Sequence, residues 1–328
     1  MIPGFVDLQV NGRKGVTFSS AELTAGEIAA INAGLFERGV VGYCPTVITA
    51  SDETYEHALP LLARACDSGE GAKILGLHIE GPFINPVDGP RGAHPRSYVR
   101  PPTIAFFEEL RKLAADRIAI LTLAPEVEGA LELIEHVASK TRIIVSLGHH
   151  MADAETIRRA RDAGARLCTH VGNGIAGMID RHRNPLWPML ADDWLSAMFI
   201  TDGFHLPADF IRVAWRAKGA TRFIVTSDMA AVAGMPPGEY PLEGQTTVLE
   251  ENGVLRLKDS PFLAGSSRDM FDCMNHLASL GELSEADLCA VGFDSPLRLL
   301  GASIEAERLA RAVRIEFLDS RFLLHPNP

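Results

Sequence analysis

The chain lacks several features that would each have assigned it to a class. It has no run of apolar residues long enough to cross a bilayer, although 47% of its 328 residues are hydrophobic, so a membrane-spanning helix is not expected. It has no excess of positive charge: 31 Lys and Arg stand against 42 Asp and Glu, a formal net charge of -11. Phosphate backbones are bound chiefly by clustered Lys and Arg, so nucleic acid drops out as a main partner. Cysteine is sparse. Five are scattered at Cys44, Cys66, Cys168, Cys273 and Cys289 without a CxxC pair, which fits a reducing cytoplasm better than a disulfide framework. The opening MIPGFVDLQVNG has neither the basic nor the apolar region of a signal peptide.

What the chain does have is alternation. Short apolar runs at 5–10, 40–48, 73–81, 118–126, 143–150, 166–173, 195–203 and 222–229 read as strands. Amphipathic segments lie between them, such as 21–39, where Ile28, Ile31, Leu35 and Phe36 share one face and Gly39 stands at the stop. Further helices are expected at 102–115, 127–139, 153–163 and 207–217, and one at 52–69 that Pro60 should kink or split. Repeated βα units feed a parallel sheet, and eight of them favour a (β/α)8 TIM barrel over a doubly wound sheet. A hairpin excursion is expected near 239–258, where Asn252-Gly253 is a turn signal, followed by helix over 267–312 and one or two short strands at the end. With no internal repeat, low-complexity tract or linker, residues 1–328 read as a single domain.

A barrel carries its chemistry at the C-terminal ends of its strands. There stand Gln9 and Asn11 after the first run, His78 and Glu80 in the third, His149 and His150 in the fifth, His170 and Asn173 in the sixth, Asp202 and His205 after the seventh, and Asp228 in the eighth. One such histidine is ordinary; several in register are not. A shared divalent cation balances the carboxylates and uses neutral imidazoles as donors, which accounts for the cluster most simply. The GNGIAG stretch at 172–177 is a formal dinucleotide motif, but no helical period follows it, so it is set aside. Arg181, His182 and Arg183 on the next loop either grip an anion or are solvated.

The stretches PGFVDLQVNG, GLHIEGPFINP, GAH, LGHHMADAETI, THVGNGI, TDGFHL, SDMAAVAGMPPGEY and LAGSS run in one order over most of the chain. In that order and spacing the chain resembles the amidohydrolase superfamily and, within it, the N-acetylglucosamine-6-phosphate deacetylase family. The resemblance implies that Glu80, His149 and His170 bind one catalytic divalent metal, zinc first and iron as an alternative. It implies that Asp228 is the general base and acid, and that His94 polarises the substrate carbonyl. Asn173, the backbone of Gly174, His205 and the loop at Leu263 match sugar-contacting positions. Arg181 matches a phosphate-binding arginine that often reaches the neighbouring subunit of a homodimer.

The chain departs from the family pattern at several points. Gln9-Val10-Asn11 replaces the HxH of many amidohydrolases, which points to one metal rather than two. SDM, GHH and THVGNGI replace the family's usual TDA, GHS and THxxNAM, and a DADLVVLD segment is missing, so the accessory β-sandwich is expected to be reduced or absent. The expected activity is deacetylation of an N-acetyl amino sugar, N-acetylglucosamine-6-phosphate first. The rivals are an amidohydrolase acting on another N-acyl amine or a non-phosphorylated sugar, and an inactive sugar-binding protein.

Overall fold

The computed structural model describes residues 2–242 and 245–325. Eight parallel strands follow one another around a barrel in sequence order. They are β1 (Phe5–Val10), β2 (Val40–Ile48), β3 (Leu77–Glu80), β4 (Ile118–Leu123), β5 (Ile144–Leu147), β6 (Leu167–Cys168), β7 (Ser196–Ile200) and β8 (Phe223–Thr226). A parallel bridge from Val10 to Met229 and a 2.8 Å hydrogen bond from the Asn11 N–H to the Met229 carbonyl close β8 onto β1. The strands are buried on both faces, so they read in sequence as continuous apolar runs rather than alternating ones.

Helices cover the outside. α1 (Ala25–Glu37) starts at a capping box in which Thr24 accepts from the Glu27 N–H while the Glu27 carboxylate accepts from the Thr24 N–H. Its Ile28, Ile31 and Leu35 are buried, and Gly39 (φ +78) ends it where a Cβ would come within 2.8 Å of Ile315 Cδ1. α2 (Asp52–Ala65) runs through Pro60 as one helix, so of the two expected outcomes, a kink or a split, the split does not occur. Pro60 removes one backbone donor, and Tyr55, Ala58, Leu59 and Leu62 on the buried face hold the helix regardless. α3 (Ile104–Leu113), α4 (Ala130–Lys140), α5 (Ala154–Ala163), α6 (Leu186–Ala191), α7 (Ala208–Arg222) and α8 (Met270–Ser279) complete the ring.

The interior is layered. Val6, Leu8, Val41, Cys44, Ile120, Leu167, Met198 and Ile224 form an apolar floor joined by Leu297 and Ala312. Ser295 and Arg298 donate to the Ala220 and Thr221 carbonyls, which places this helical segment at the N-terminal end of β8. Above the floor lies a buried polar layer: His78 Nδ1–H donates to the Leu8 carbonyl (3.1 Å), its Nε2 accepts from Thr122, and Thr169 bonds both Thr122 and Ser146. The strands' C-terminal ends open above it.

Two excursions leave the barrel. After β8 comes an antiparallel sheet of β9 (Gly238–Leu242), β10 (Gln245–Leu249) and β11 (Leu255–Leu257), three strands where a two-stranded hairpin was expected over 239–258. The Asn252-Gly253 turn forms as read, with Gly253 at φ +95, but β10 pairs on both edges. The expectation also takes in residues 243–244, which lie outside the described residues. After α8 come short helices α9 (Glu285–Cys289), α10 (Ser295–Leu300) and α11 (Ala306–Arg311), then the hairpin β12 (Arg314–Leu318) and β13 (Arg321–His325). Ile2 bridges to Ile315, and among the described residues the two ends of the chain add no larger sheet than this. No helix among the described residues is long and apolar enough to cross a membrane.

Candidate metal centre

Strands β3, β5 and β6 end at neighbouring points of the barrel rim, and each delivers one ligand. Glu80 Oε1 lies 2.9 Å from His170 Nε2 and 3.2 Å from His149 Nε2, and the two imidazole nitrogens are 3.1 Å apart. Among the described residues these three side chains are the group whose ligand atoms converge within 4.8 Å, and all three are buried. The backbone pays for the convergence, with His149 at φ +54, His170 at φ +27 and Asp228 at φ +50, in the left-handed region that costs a non-glycine residue about 1–3 kcal/mol.

The donor set fits a cation. His149 Nδ1–H donates to the Pro90 carbonyl at 2.8 Å, which leaves Nε2 a lone pair in the neutral ring. That lone pair faces a carboxylate oxygen and a second imidazole nitrogen. Without positive charge the arrangement is repulsive; a divalent metal satisfies all three atoms at once. With no cation present and the two rings protonated, burial favours the neutral form of Glu80, but the hydrogen bonds and charges of His149 and His170 outweigh it and hold the carboxylate well below its usual range. For His170, burial works against protonation, yet the bond and charge of Glu80 raise it.

Asp228 stands across the mouth from the histidines. Its Oδ1 accepts from Gln9 Nε2 (2.9 Å) and Asn11 Nδ2 (2.7 Å), and the same Gln9 amide donates to Glu80 Oε1 at 2.9 Å. Gln9 therefore links the two carboxylates through one amide nitrogen. Burial, opposed by His170 and reinforced by Glu80, pushes Asp228 up to about 6. His94 accepts at Nδ1 from the Thr49 hydroxyl (2.9 Å) when its Nε2 carries the proton, and that nitrogen lies 3.2 Å from His149 Nε2. Burial first and His149 second keep the His94 ring well below its usual value, hence neutral.

These groups open into a cavity of about 250 Å3, whose lining includes Asn173, Gly174, His205 and Leu263. Gly174 (φ +62) has no room for a side chain: a Cβ would sit 3.1 Å from His149 Nδ1 and 3.2 Å from His170 Cε1. His205 is anchored at Nδ1 by Asp202 Oδ2 (2.8 Å), which also accepts from Ser266, leaving Nε2 for a ligand. Leu242, Gln245 and Leu257 of the three-stranded sheet form part of the wall. Among the described residues the cavity lining contains no Lys or Arg. Arg181 is exposed on the 177–184 loop, outside that lining, its carbonyl accepting from Trp187 Nε1.

Two residues read as rim groups lie elsewhere. His78 belongs to the polar layer beneath the site, where burial pushes it down to about 4. His150 points away from the ligand cluster, its Nδ1 accepting from the Ala152 N–H, and burial likewise pushes it to about 4. His150 sits one position out of register with His149, and His78 shares the face of Glu80 but lies deeper, distinctions that a list of polar residues near strand ends does not make. Thr49, the Pro90 carbonyl and Glu126 went unread because each acts on a neighbour of the centre.

No family profile matches the chain. It is similar to an N-acetylglucosamine-6-phosphate deacetylase from Caenorhabditis elegans, 35% identical over 340 residues that cover 96% of this chain and 78% of the relative. An N-acetylgalactosamine-6-phosphate deacetylase from Escherichia coli O157:H7 is 32% identical over 304 residues, covering 92% and 78%. Among solved structures, a mutant N-acetyl-D-glucosamine-6-phosphate deacetylase from Mycobacterium smegmatis, in complex with N-acetyl-D-glucosamine-6-phosphate, superposes with a TM-score of 0.84 at 25% identity, covering 98% of this chain and 86% of that one. Likeness of this extent joins a parallel barrel to a buried carboxylate and imidazole cluster at its rim, and the chain belongs to the N-acetylglucosamine-6-phosphate deacetylase family of amidohydrolases.

Proposed function

We propose that this chain, acting as a single barrel domain, removes the acetyl group from an N-acetyl amino-sugar phosphate, with N-acetylglucosamine-6-phosphate as the leading substrate. The observation that carries this reading is the meeting of Glu80, His149 and His170 with Asp228 and His94 in one cavity. Glu80, His149 and His170 would hold one divalent metal, zinc first and iron second. Such an ion supplies Lewis-acid polarisation and a water acidified toward neutrality.

The chain's own residues handle the protons. Asp228, oriented by Gln9 and Asn11, takes a proton from the attacking water and returns it to the sugar nitrogen as the amide C–N bond breaks. A value near 6 suits both directions. Neutral His94, its Nδ1 held by Thr49, donates Nε2–H to the developing oxyanion. His205, Asn173, the Gly174 backbone and the Leu263 loop hold the sugar. The products are acetate and the amino sugar.

The absence of Lys and Arg from the lining supports Arg181 acting on the phosphate of a neighbouring protomer's substrate in a homodimer. The same absence favours a second reading, a non-phosphorylated N-acetyl sugar. The protein's place is taken to be the cytoplasm, in keeping with five free cysteines.

The test is acetate release by metal-loaded protein from N-acetylglucosamine with and without its 6-phosphate, alongside the N-acetylgalactosamine 6-phosphate. A strong phosphate preference is expected, and equal rates overturn the phosphosugar reading. No acetate from any of them leaves a hydrolase of another N-acyl amine or an inactive sugar-binding protein. Mixing inactive Arg181→Ala and Asp228→Asn subunits is expected to restore about a quarter of wild-type activity, because half of the dimers then hold one complete site. No recovery on mixing removes the shared-site arrangement.

A further inference from the structure

Strand β4 delivers no side chain to the ligand cluster, yet the residue three past its end holds the loop that does. Glu126 Oε1 accepts two hydrogen bonds, from the Met151 N–H at 2.7 Å and from Asn85 Nδ2 at 2.8 Å. The Asn85 backbone N–H in turn donates to the His149 carbonyl at 3.1 Å. The backbone is thus pinned on both sides of His150, at the His149 carbonyl and at the Met151 amide, by a carboxylate that touches neither ring.

The pinned residue needs it. His149 sits at φ +54, a conformation that persists only where the surroundings over-determine it. The same pin reaches the sugar-facing loop, since Met151 Sδ accepts from the Ala176 N–H at 3.2 Å and Gly174 packs on His149. We propose that Glu126, with Asn85 as its relay, is a positioning residue that fixes His149 for metal binding and registers the 173–176 loop against it. This rests on the reading of Glu80, His149 and His170 as a metal centre.

The experiment compares zinc affinity, by competition with a chelator, and thermal stability of the zinc-free protein for wild type, Glu126→Ala and Glu126→Gln. Glutamine retains a carbonyl oxygen for both donors; alanine retains none. Glu126→Ala is expected to weaken zinc binding roughly 10- to 100-fold, the usual effect of removing a partner that orients a metal ligand, with Glu126→Gln within about threefold of wild type. A purely structural glutamate would lower the melting temperature of the zinc-free protein and leave zinc affinity unmoved, and zinc affinity of Glu126→Ala within threefold of wild type overturns the proposal. Should Glu126→Ala fail to fold, Asn85→Ala, which removes the side-chain link to Glu126 and the Val87 N–H bond to Oδ1 while keeping the backbone bond to His149, is expected to weaken zinc in the same direction, and unchanged affinity there overturns it equally. Failure of the wild type to bind one zinc per chain would instead strike the metal reading itself, and the two failures are read from different samples.

Discussion

Replacing Asp228 by asparagine should make the protein more stable and nearly inactive at once. The carboxylate is buried, and its pKa stands at about 6 in the fold against 3.8 for the free side chain. A raised carboxylate stabilises the fold fully only below its unfolded value, and that contribution is lost as pH rises through the folded value. Above pH 6 the ionised form therefore costs about 3 kcal/mol, at 1.36 kcal/mol per pH unit. Asparagine keeps a carbonyl oxygen for the Gln9 and Asn11 amides and removes the charge. In metal-free protein the variant should gain up to that amount at pH 8, about half of it at pH 5 and nothing below about pH 3.8. For 328 residues, with an unfolding entropy of about 2 cal/mol/K per residue, 3 kcal/mol raises the melting temperature by roughly 4 °C. Loss of the general base should lower kcat by roughly 100- to 10,000-fold in the metal-loaded protein. Scanning calorimetry of chelator-treated samples at the two pH values, with acetate release from reloaded samples, reads both effects. A variant no more stable than wild type at pH 8, or one with wild-type turnover, refutes the account of Asp228.

Gly174→Ala should cost about 1–2 kcal/mol in urea unfolding, because φ +62 disfavours a side chain and the new methyl would press on His149 at 3.1 Å; a neutral result would mean that the loop gives way. Free zinc at a hundredfold excess over its dissociation constant should stabilise the chelated protein by about 2.7 kcal/mol, and a melting temperature that ignores zinc would remove the metal centre. Asp202→Asn should raise KM more than it lowers kcat, since His205 loses its anchor. Burial favours the neutral form of Asp202, yet the His205 bond holds it down to about 2 against 3.8. That stability is present above about pH 4 and is lost as pH falls through 2. The asparagine variant should therefore be up to about 2 kcal/mol less stable at pH 7 and indistinguishable from wild type in strong acid, as chemical denaturation across pH would measure.

The sequence carried the barrel because parallel strands buried on both faces are predominantly apolar, and each of the eight runs contains one. The polar rim was legible as imidazoles and carboxylates at strand ends, but which of them meet was not: His78 and His150 stand outside the group formed by Glu80, His149 and His170. Strand extents were less legible: β6 is only Leu167–Cys168, and the apolar run around it continues into backbone that bends away to aim His170. His78 and Glu80 are two residues apart on one strand and share a face, yet one is spent in the polar layer and the other in the centre, a difference of depth rather than of pattern. The third strand of the excursion was missed because its pairing follows from which edges are free, and the helix is not split at Pro60 because burial of one face outweighs a single lost hydrogen bond.

The sheet built from Gly238–Leu257 enters the chain between β8 and α8, after the last barrel strand has been laid down, and it supplies Leu242, Gln245 and Leu257 to the cavity wall. Part of the cavity wall is thereby carried on a length of polypeptide separate from the one that bears Glu80, His149, His170 and Asp228. Exchange of this one contiguous segment with a relative's is a route to altering which acylated amines are let in while the cleaving apparatus stays untouched. A lineage has the same freedom, able to drift in diet without first risking its chemistry.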